Sequence, residues 1–178
     1  MIHSTAIIHA NAQLHESVRV GPYSVIDEHV TLGAGCEIGP HVHLTGHTTI
    51  GAENRFHTGC VIGDAPQDLK YSGEPTRLII GDRNFFREHV TIHRSNTPDE
   101  DTRIGTDNFF MANSHVGHNA IIGNKVILAN GVLIAGHAMI GDGAFLAGNA
   151  VVHQFCRVGA MAMMQGCAGV SLDLPPFT

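Results

Sequence analysis

The sequence contains no tryptophan and only two tyrosines, and charged residues make up 15% of its 178 positions. Basic residues are the scarcer kind, giving a formal net charge of −6. A general nucleic-acid binder would need a basic face, which this balance does not supply. No stretch approaches the roughly 20 apolar residues of a membrane span. The opening run MIHSTAIIHA has neither a basic segment nor a long apolar one, so no signal peptide is expected. Apolar stripes at spacings of three and four do not persist, which argues against helices. The four cysteines include no CxxC pair, so a zinc knuckle is not expected either.

What is present is a period. Cut every six residues, the stretch from Ile104 to Gly141 reads IGTDNF, FMANSH, VGHNAI, IGNKVI, LANGVL, IAGHAM, IG. Each block opens with an aliphatic residue or Phe, often followed by Gly, and a small or β-branched residue usually sits four places after the lead. The same frame begins at Ile2, runs to Ile62, resumes at Ile80, breaks at Pro98 and continues from Ile104 to Val170. Hexapeptide periodicity is the signature of a parallel β-helix. Short strands that bend every six residues close a coil of about eighteen residues, and stacked coils pair about 4.8 Å apart. No coil buries its inner face alone, so many are required. The chain is therefore predicted to be all-β, a solenoid over residues 1–170 with roughly nine coils and a tail at 171–178. The lead residue is expected at the corner, with Gly behind it to tolerate the bend.

Two segments, at about 63–79 and 94–103, interrupt the frame and are predicted to loop out of it. The first carries QDLKYSGEPT and is too rich in specific polar groups for mere solvation. The second, RSNTPDEDT, is expected to be a solvated surface loop. Near the end come two prolines, Pro175 and Pro176, which cannot donate to a ladder. The last coil edge must then be covered by another subunit or stand open. Cys36, Cys60, Cys156 and Cys167 fall three or four places after lead residues and are expected to be packed thiols rather than nucleophiles or ligands. Reduced thiols suit a cytoplasmic protein.

Fourteen histidines are present, and most of those in the N-terminal coils are expected to be ordinary solvated side chains. His118, His137 and His153 differ. They are 19 and 16 residues apart, close to one coil, and so should approach a single axial row, with His115 and Gln154 beside it. Mutual repulsion would make a protonated row a poor decoration, so it is read as a cleft that binds a metal or a substrate.

At this point the chain can be compared with a family. The runs QDLKYSGEPT at 67–76, IGDRNFFREHVTIHR at 80–94, NSHVGHN at 113–119, ILANGVLIAGH at 127–137, VHQFCRVGA at 152–160 and the closing DLPPF resemble the bacterial UDP-N-acetylglucosamine O-acyltransferases that begin lipid A synthesis. The resemblance implies a left-handed parallel β-helix in a homotrimer, in the cytoplasm. It further implies transfer of a 3-hydroxyacyl chain from acyl carrier protein to the sugar 3-hydroxyl of UDP-N-acetylglucosamine, with no cofactor and no metal. By position, His118 matches the general base and the backbone N–H of Gly136 the oxyanion donor. His115, His137, His153 and Gln154 match substrate contacts, and Asp68 and Lys70 match loop residues reaching sugar and phosphates. Gly166 matches the floor of an acyl groove.

Two departures stand out. The family commonly carries Asp after the base, where this chain has Asn119, which can orient an imidazole but cannot stabilise its charged form as a carboxylate does. The family also continues into a C-terminal helical domain after the prolines. Three alternatives remain open at this stage. A γ-carbonic-anhydrase-like zinc enzyme would need two ligands five residues apart, and no such pair lies near His118. A short relative could acylate another nucleotide sugar. A non-catalytic solenoid would need neither the QDLKY loop nor the histidine cluster.

Overall fold

A computed structural model describes all 178 residues and contains no helix. Its strands are two to four residues long and wind a left-handed parallel β-helix with three faces. The first face has nine strands, from Ile7–Ile8 to Gly169–Val170. The second has eight, from Gln13–Leu14 to Arg157–Val158, and the third has eight, from Arg19–Val20 to Met163–Met164. Every pairing is parallel, as in His115 opposite Leu133 and Val116 opposite Ile134, and the register shifts only between Ile62 and Asp64, where the first excursion leaves.

Period and pleat together decide which residues face inward. Each strand ends on a lead residue except Val61–Asp64 and Thr91–His93, which run on into the excursions. Ile104, Phe110, Val116, Ile122 and Leu128 are all buried, as are Asn108, Ser114, Ala120 and Val126 four places after a lead. These columns form one core in which Phe56, Phe86 and Phe110 stack with centroids 4.7 and 4.9 Å apart. An asparagine column beside them bonds to itself and to the backbone, only the Asn108 Nδ2 at its end being left without a partner. Asn54 Oδ1 accepts from the Asn84 N–H at 2.9 Å, and Asn84 Oδ1 accepts from the Asn108 N–H at 2.9 Å.

The bends fall elsewhere than the sequence reading placed them. The chain turns two and three residues after the lead, and the third residue is left-handed: Asn113, Asn119, Lys125, His137, Asn149 and Phe155 all have φ between 56 and 65°. Gly directly behind the lead has another reason. A Cβ on Gly105 would lie 2.5 Å from the Gly123 carbonyl oxygen of the next coil, and one on Gly117 would lie 2.8 Å from the Gly136 nitrogen. Steric room between coils, not backbone freedom, selects glycine there.

The two excursions leave after Asp64 and His93 and rejoin at Arg77 and Asp101. Stacking continues across them, since Ile62 pairs with Ile92 and Ile92 with Val116. The second excursion is only in part the solvated loop its polarity suggested: Thr97 to Glu100 are exposed, but Ser95 before them is fully buried. Cys36, Cys60 and Cys156 are buried as expected, whereas Cys167 is exposed because it occupies a left-handed corner position. The tail also departs from expectation. Leu174 donates to the Arg157 carbonyl and accepts from the Gly159 N–H, both at 2.8 Å, and Thr178 accepts from the Met163 N–H at 2.7 Å. Part of the final coil edge is therefore covered by the chain itself.

Candidate active site

The corner between the first and second faces gathers the singled-out residues. One coil is eighteen residues here, so His118, Gly136 and Gln154 form one axial row, while Asn119, His137 and Phe155 form the next. The expected single row of His118, His137 and His153 does not occur. Separations of 19 and 16 put the three on adjacent rows around the bend. His118 and His137 still meet edge to face, with centroids 5.2 Å apart, and His137 stacks on Phe155 at 4.7 Å. His153 lies exposed to one side, its Nδ1 3.2 Å from the Gln154 carbonyl oxygen.

His118 is held at both ends of its ring. Its Nδ1 is 2.9 Å from Asn119 Oδ1. Its Nε2 edge packs on Gly136, where an added Cβ would come within 2.8 Å of both Nε2 and Cε1. Glycine at 136 is thus required by the ring. The Gly136 N–H finds no acceptor within the chain. Beside this pair opens a cleft of about 640 Å³, lined by Gln67, His93, His115, Gly117, Leu133 and Val151 among others. On the first face the outward residues beyond His115 are Leu133, Val151 and Gly169, a progressively bare apolar floor. Gly166 lies at the far corner of this face, away from the His118 corner, where a Cβ would approach the Gly148 carbonyl oxygen at 3.3 Å.

His115 and a residue the sequence did not mark, His93, pack edge to face at 4.8 Å. Burial pushes the His115 imidazole down to about 4, helped by the neighbouring His93 and His118. Its Nδ1 is 2.8 Å from Thr91 Oγ1. His93 is also pushed down, chiefly by burial. His137 is lowered by desolvation and by His118, against the opposing pull of Glu100 and Asp68.

The first excursion arches towards this corner. Asp68 accepts from the Lys70 N–H at 3.0 Å and from Asn96 Nδ2 at 2.7 Å, and these bonds hold its carboxyl below the usual range. Lys70 itself is exposed. Arg94 anchors the loop, donating to the Tyr71 hydroxyl at 3.0 Å and to the Gly63 carbonyl at 2.9 Å. Sequence reasoning missed His93, Ser95, Asn96, Glu100 and Phe155. Only Asn119 offered a signal, as a residue whose neighbours had to be found in space. No three His, Cys, Asp or Glu side chains within the chain converge to hold a metal ion.

Comparison with known proteins places this geometry. Residues 101–136 match the bacterial transferase hexapeptide (six repeats) family. The chain is 54% identical over 178 residues to the acyl-[acyl-carrier-protein]–UDP-N-acetylglucosamine O-acyltransferase of Herminiimonas arsenicoxydans, with 99% of this chain and 68% of that protein covered. It is 53% identical to the protein of the same name from Janthinobacterium sp. (strain Marseille), again covering 99% and 68%. Among solved structures, the Francisella novicida UDP-N-acetylglucosamine acyltransferase superposes with a TM-score of 0.97 at 40% identity, covering 99% of this chain and 65% of that one. LpxA from Acinetobacter baumannii superposes at 0.96 with 42% identity, covering 99% and 69%. The chain thus spans about two thirds of the length of these relatives.

Proposed function

The chain belongs to the acyl-[acyl-carrier-protein]–UDP-N-acetylglucosamine O-acyltransferase family, and from that premise we propose that it transfers a 3-hydroxyacyl chain from acyl carrier protein to the 3-hydroxyl of UDP-N-acetylglucosamine, the first step of lipid A biosynthesis. The observation that carries this reading is the juxtaposition of a free imidazole nitrogen with a free backbone donor. His118 Nε2 lies against Gly136, whose N–H has no acceptor in the chain, at the head of an apolar face. His118 takes the proton from the sugar hydroxyl as its oxygen attacks the thioester carbonyl. Negative charge develops on the carbonyl oxygen, and the Gly136 N–H is the donor for it. The intermediate collapses by expelling the carrier thiolate, which receives the proton back from His118. No covalent enzyme intermediate is needed, and neither Ser nor Cys acts as nucleophile.

His115 and His93, kept neutral by burial, offer hydrogen-bonding nitrogens without competing charge. Asp68 and Lys70 on the first excursion, with His137, His153 and Gln154 at the corner, are assigned to the nucleotide sugar. The apolar floor of Leu133, Val151 and Gly169, running towards Gly166, is assigned to the acyl chain. Four free cysteines suit a cytoplasmic setting. A homotrimer is proposed because the outward row Phe85, Phe109, Ile127, Phe145 and Met163 forms a continuous apolar stripe on the third face.

Incubation of the protein with a 3-hydroxyacyl thioester of acyl carrier protein and UDP-N-acetylglucosamine should yield the 3-O-ester and free carrier thiol in equal amounts. Thiol release that does not depend on the sugar nucleotide would contradict the assignment. Light scattering of the same sample should give a mass of three chains, and a single-chain mass would count against the trimer.

A further inference from the structure

The hydrogen bonds behind His118 fix more than its position. Asn119 Oδ1 accepts from the Asn96 backbone N–H at 3.0 Å, so that end of the amide must be the oxygen. Its Nδ2 lies 2.7 Å from Glu100 Oε2, a carboxylate that can only accept. Nδ2 also lies 3.0 Å from Ser95 Oγ, whose own proton goes to the Thr97 carbonyl at 2.8 Å. Three independent neighbours therefore agree on the orientation of one amide, an assignment that otherwise rests on convention. With Oδ1 facing His118 Nδ1 at 2.9 Å, the imidazole must carry its proton on Nδ1 and leave Nε2 bare. The Asn119 backbone is pinned as well, its N–H donating to Thr102 Oγ1 at 2.7 Å.

We propose that Glu100 is a positioning residue for His118, its carboxylate acting through the Asn119 amide to orient the imidazole and stabilise its charged form. This deepens the proposed function and rests on its reading of His118 as the base. The chain runs Nδ1–H of His118, Oδ1 and Nδ2 of Asn119, then Oε2 of Glu100. When His118 takes the sugar proton on Nε2, the imidazolium polarises the amide, whose N–H binds the carboxylate more strongly. A negative charge thus sits one residue behind the hydrogen-bond acceptor, delivered by the second excursion. The first excursion braces the same assembly, since Asn96 also donates to Asp68.

Other charges face this assembly. His137 Nδ1 is 3.7 Å from Glu100, and Asp101 lies buried between Arg77 and Arg103. Asp99 and Arg157 line the adjoining pocket. His93, His115 and Asp68 approach from the cleft side. Glu100 is half exposed, so its effect is screened and should be modest.

The test is the pH dependence of kcat/KM for acyl transfer. Loss of the carboxylate in Glu100→Gln should move the acid limb to lower pH and lower the plateau about three- to tenfold. Asn119→Asp alone sets two carboxylates against each other with no proton between them, and should also lose activity. The pair Asn119→Asp with Glu100→Gln restores the donor–acceptor match between these two side chains, requires Ser95 to turn its proton from the Thr97 carbonyl to the new carboxylate, and moves the charge next to the ring. It should recover the plateau to within about twofold and carry the acid limb above its original position. Superimposable profiles for Glu100→Gln and the parent protein would overturn the relay, as would a double variant no better than its singles combined. The shift should survive in a His137→Asn background, and its disappearance there would assign Glu100 to His137 instead. His118→Ala separates the two levels. If it keeps turnover, the base and the relay both fall; if it is inactive while the Glu100→Gln profile stays unshifted, only the relay falls.

Discussion

His115 shows how one burial decision governs both chemistry and stability. It is packed against His93 and bonded to Thr91, and its imidazole is held down to about 4. Unfolded, it would titrate near 6.5. The unfolded chain therefore binds a proton that the folded one refuses between those values, so stability falls as pH drops through this window. The loss reaches up to about 3 kcal/mol for this residue alone, and the lowered His93 acts in the same direction. Thermal melting followed from pH 7 to pH 4.5 should show a steep loss that is markedly shallower in His115→Asn. Equal slopes for the two proteins would contradict the burial account. At this scale the sequence was partly legible. His118 and His115 stood out by their spacing and by the family resemblance, and Asn119 stood out as a departure. Glu100 could not be seen, because a charged residue in a polar stretch looks solvated until the coil above it is known.

The repeating element is a strand, a glycine and a two-residue bend. Inward columns were legible because a two-residue pleat inside a six-residue period leaves only two inward positions per repeat. The bend was not, since glycine suggests backbone freedom before it suggests lack of space. Here the left-handed positions are mostly filled by residues other than glycine, Asn, His, Lys and even Phe among them, while the glycines behind the leads, Gly63 excepted, have ordinary φ and sit under the next coil. Gly105→Ala should therefore destabilise by about 1–3 kcal/mol through collision with the Gly123 carbonyl. Gly169→Ala, where an added Cβ meets nothing within 4 Å, should change stability by less than about 0.5 kcal/mol. A matched pair of denaturant titrations checks this, and equal losses at the two positions would show that backbone freedom, not coil spacing, is what glycine supplies. The same offset explains why His118 and His137 reach the site. They stand on the bend, two and three places past a lead, and point away from the core.

The whole molecule is one continuous solenoid with its proposed site on one corner, supplied by coils and by two excursions that fold back on it. Its stacking was legible from end to end, because the hexapeptide frame resumes in phase after each interruption. How the excursions cooperate was not, since Asn96 to Asp68 and Asn119 to Glu100 are contacts between segments whose sequence carries no common period. Everything converges on a single imidazole whose Nδ1 is committed and whose Nε2 is bare. The measurement closest to that claim is the acyl-transfer rate of His118→Ala, taken beside its melting temperature. The side chain lies on a bend outside the core, so the fold should melt within a few degrees of the parent. The rate should fall by about 10²–10⁴, the usual contribution of a positioned general base. Near-normal turnover in a folded His118→Ala protein would contradict the account.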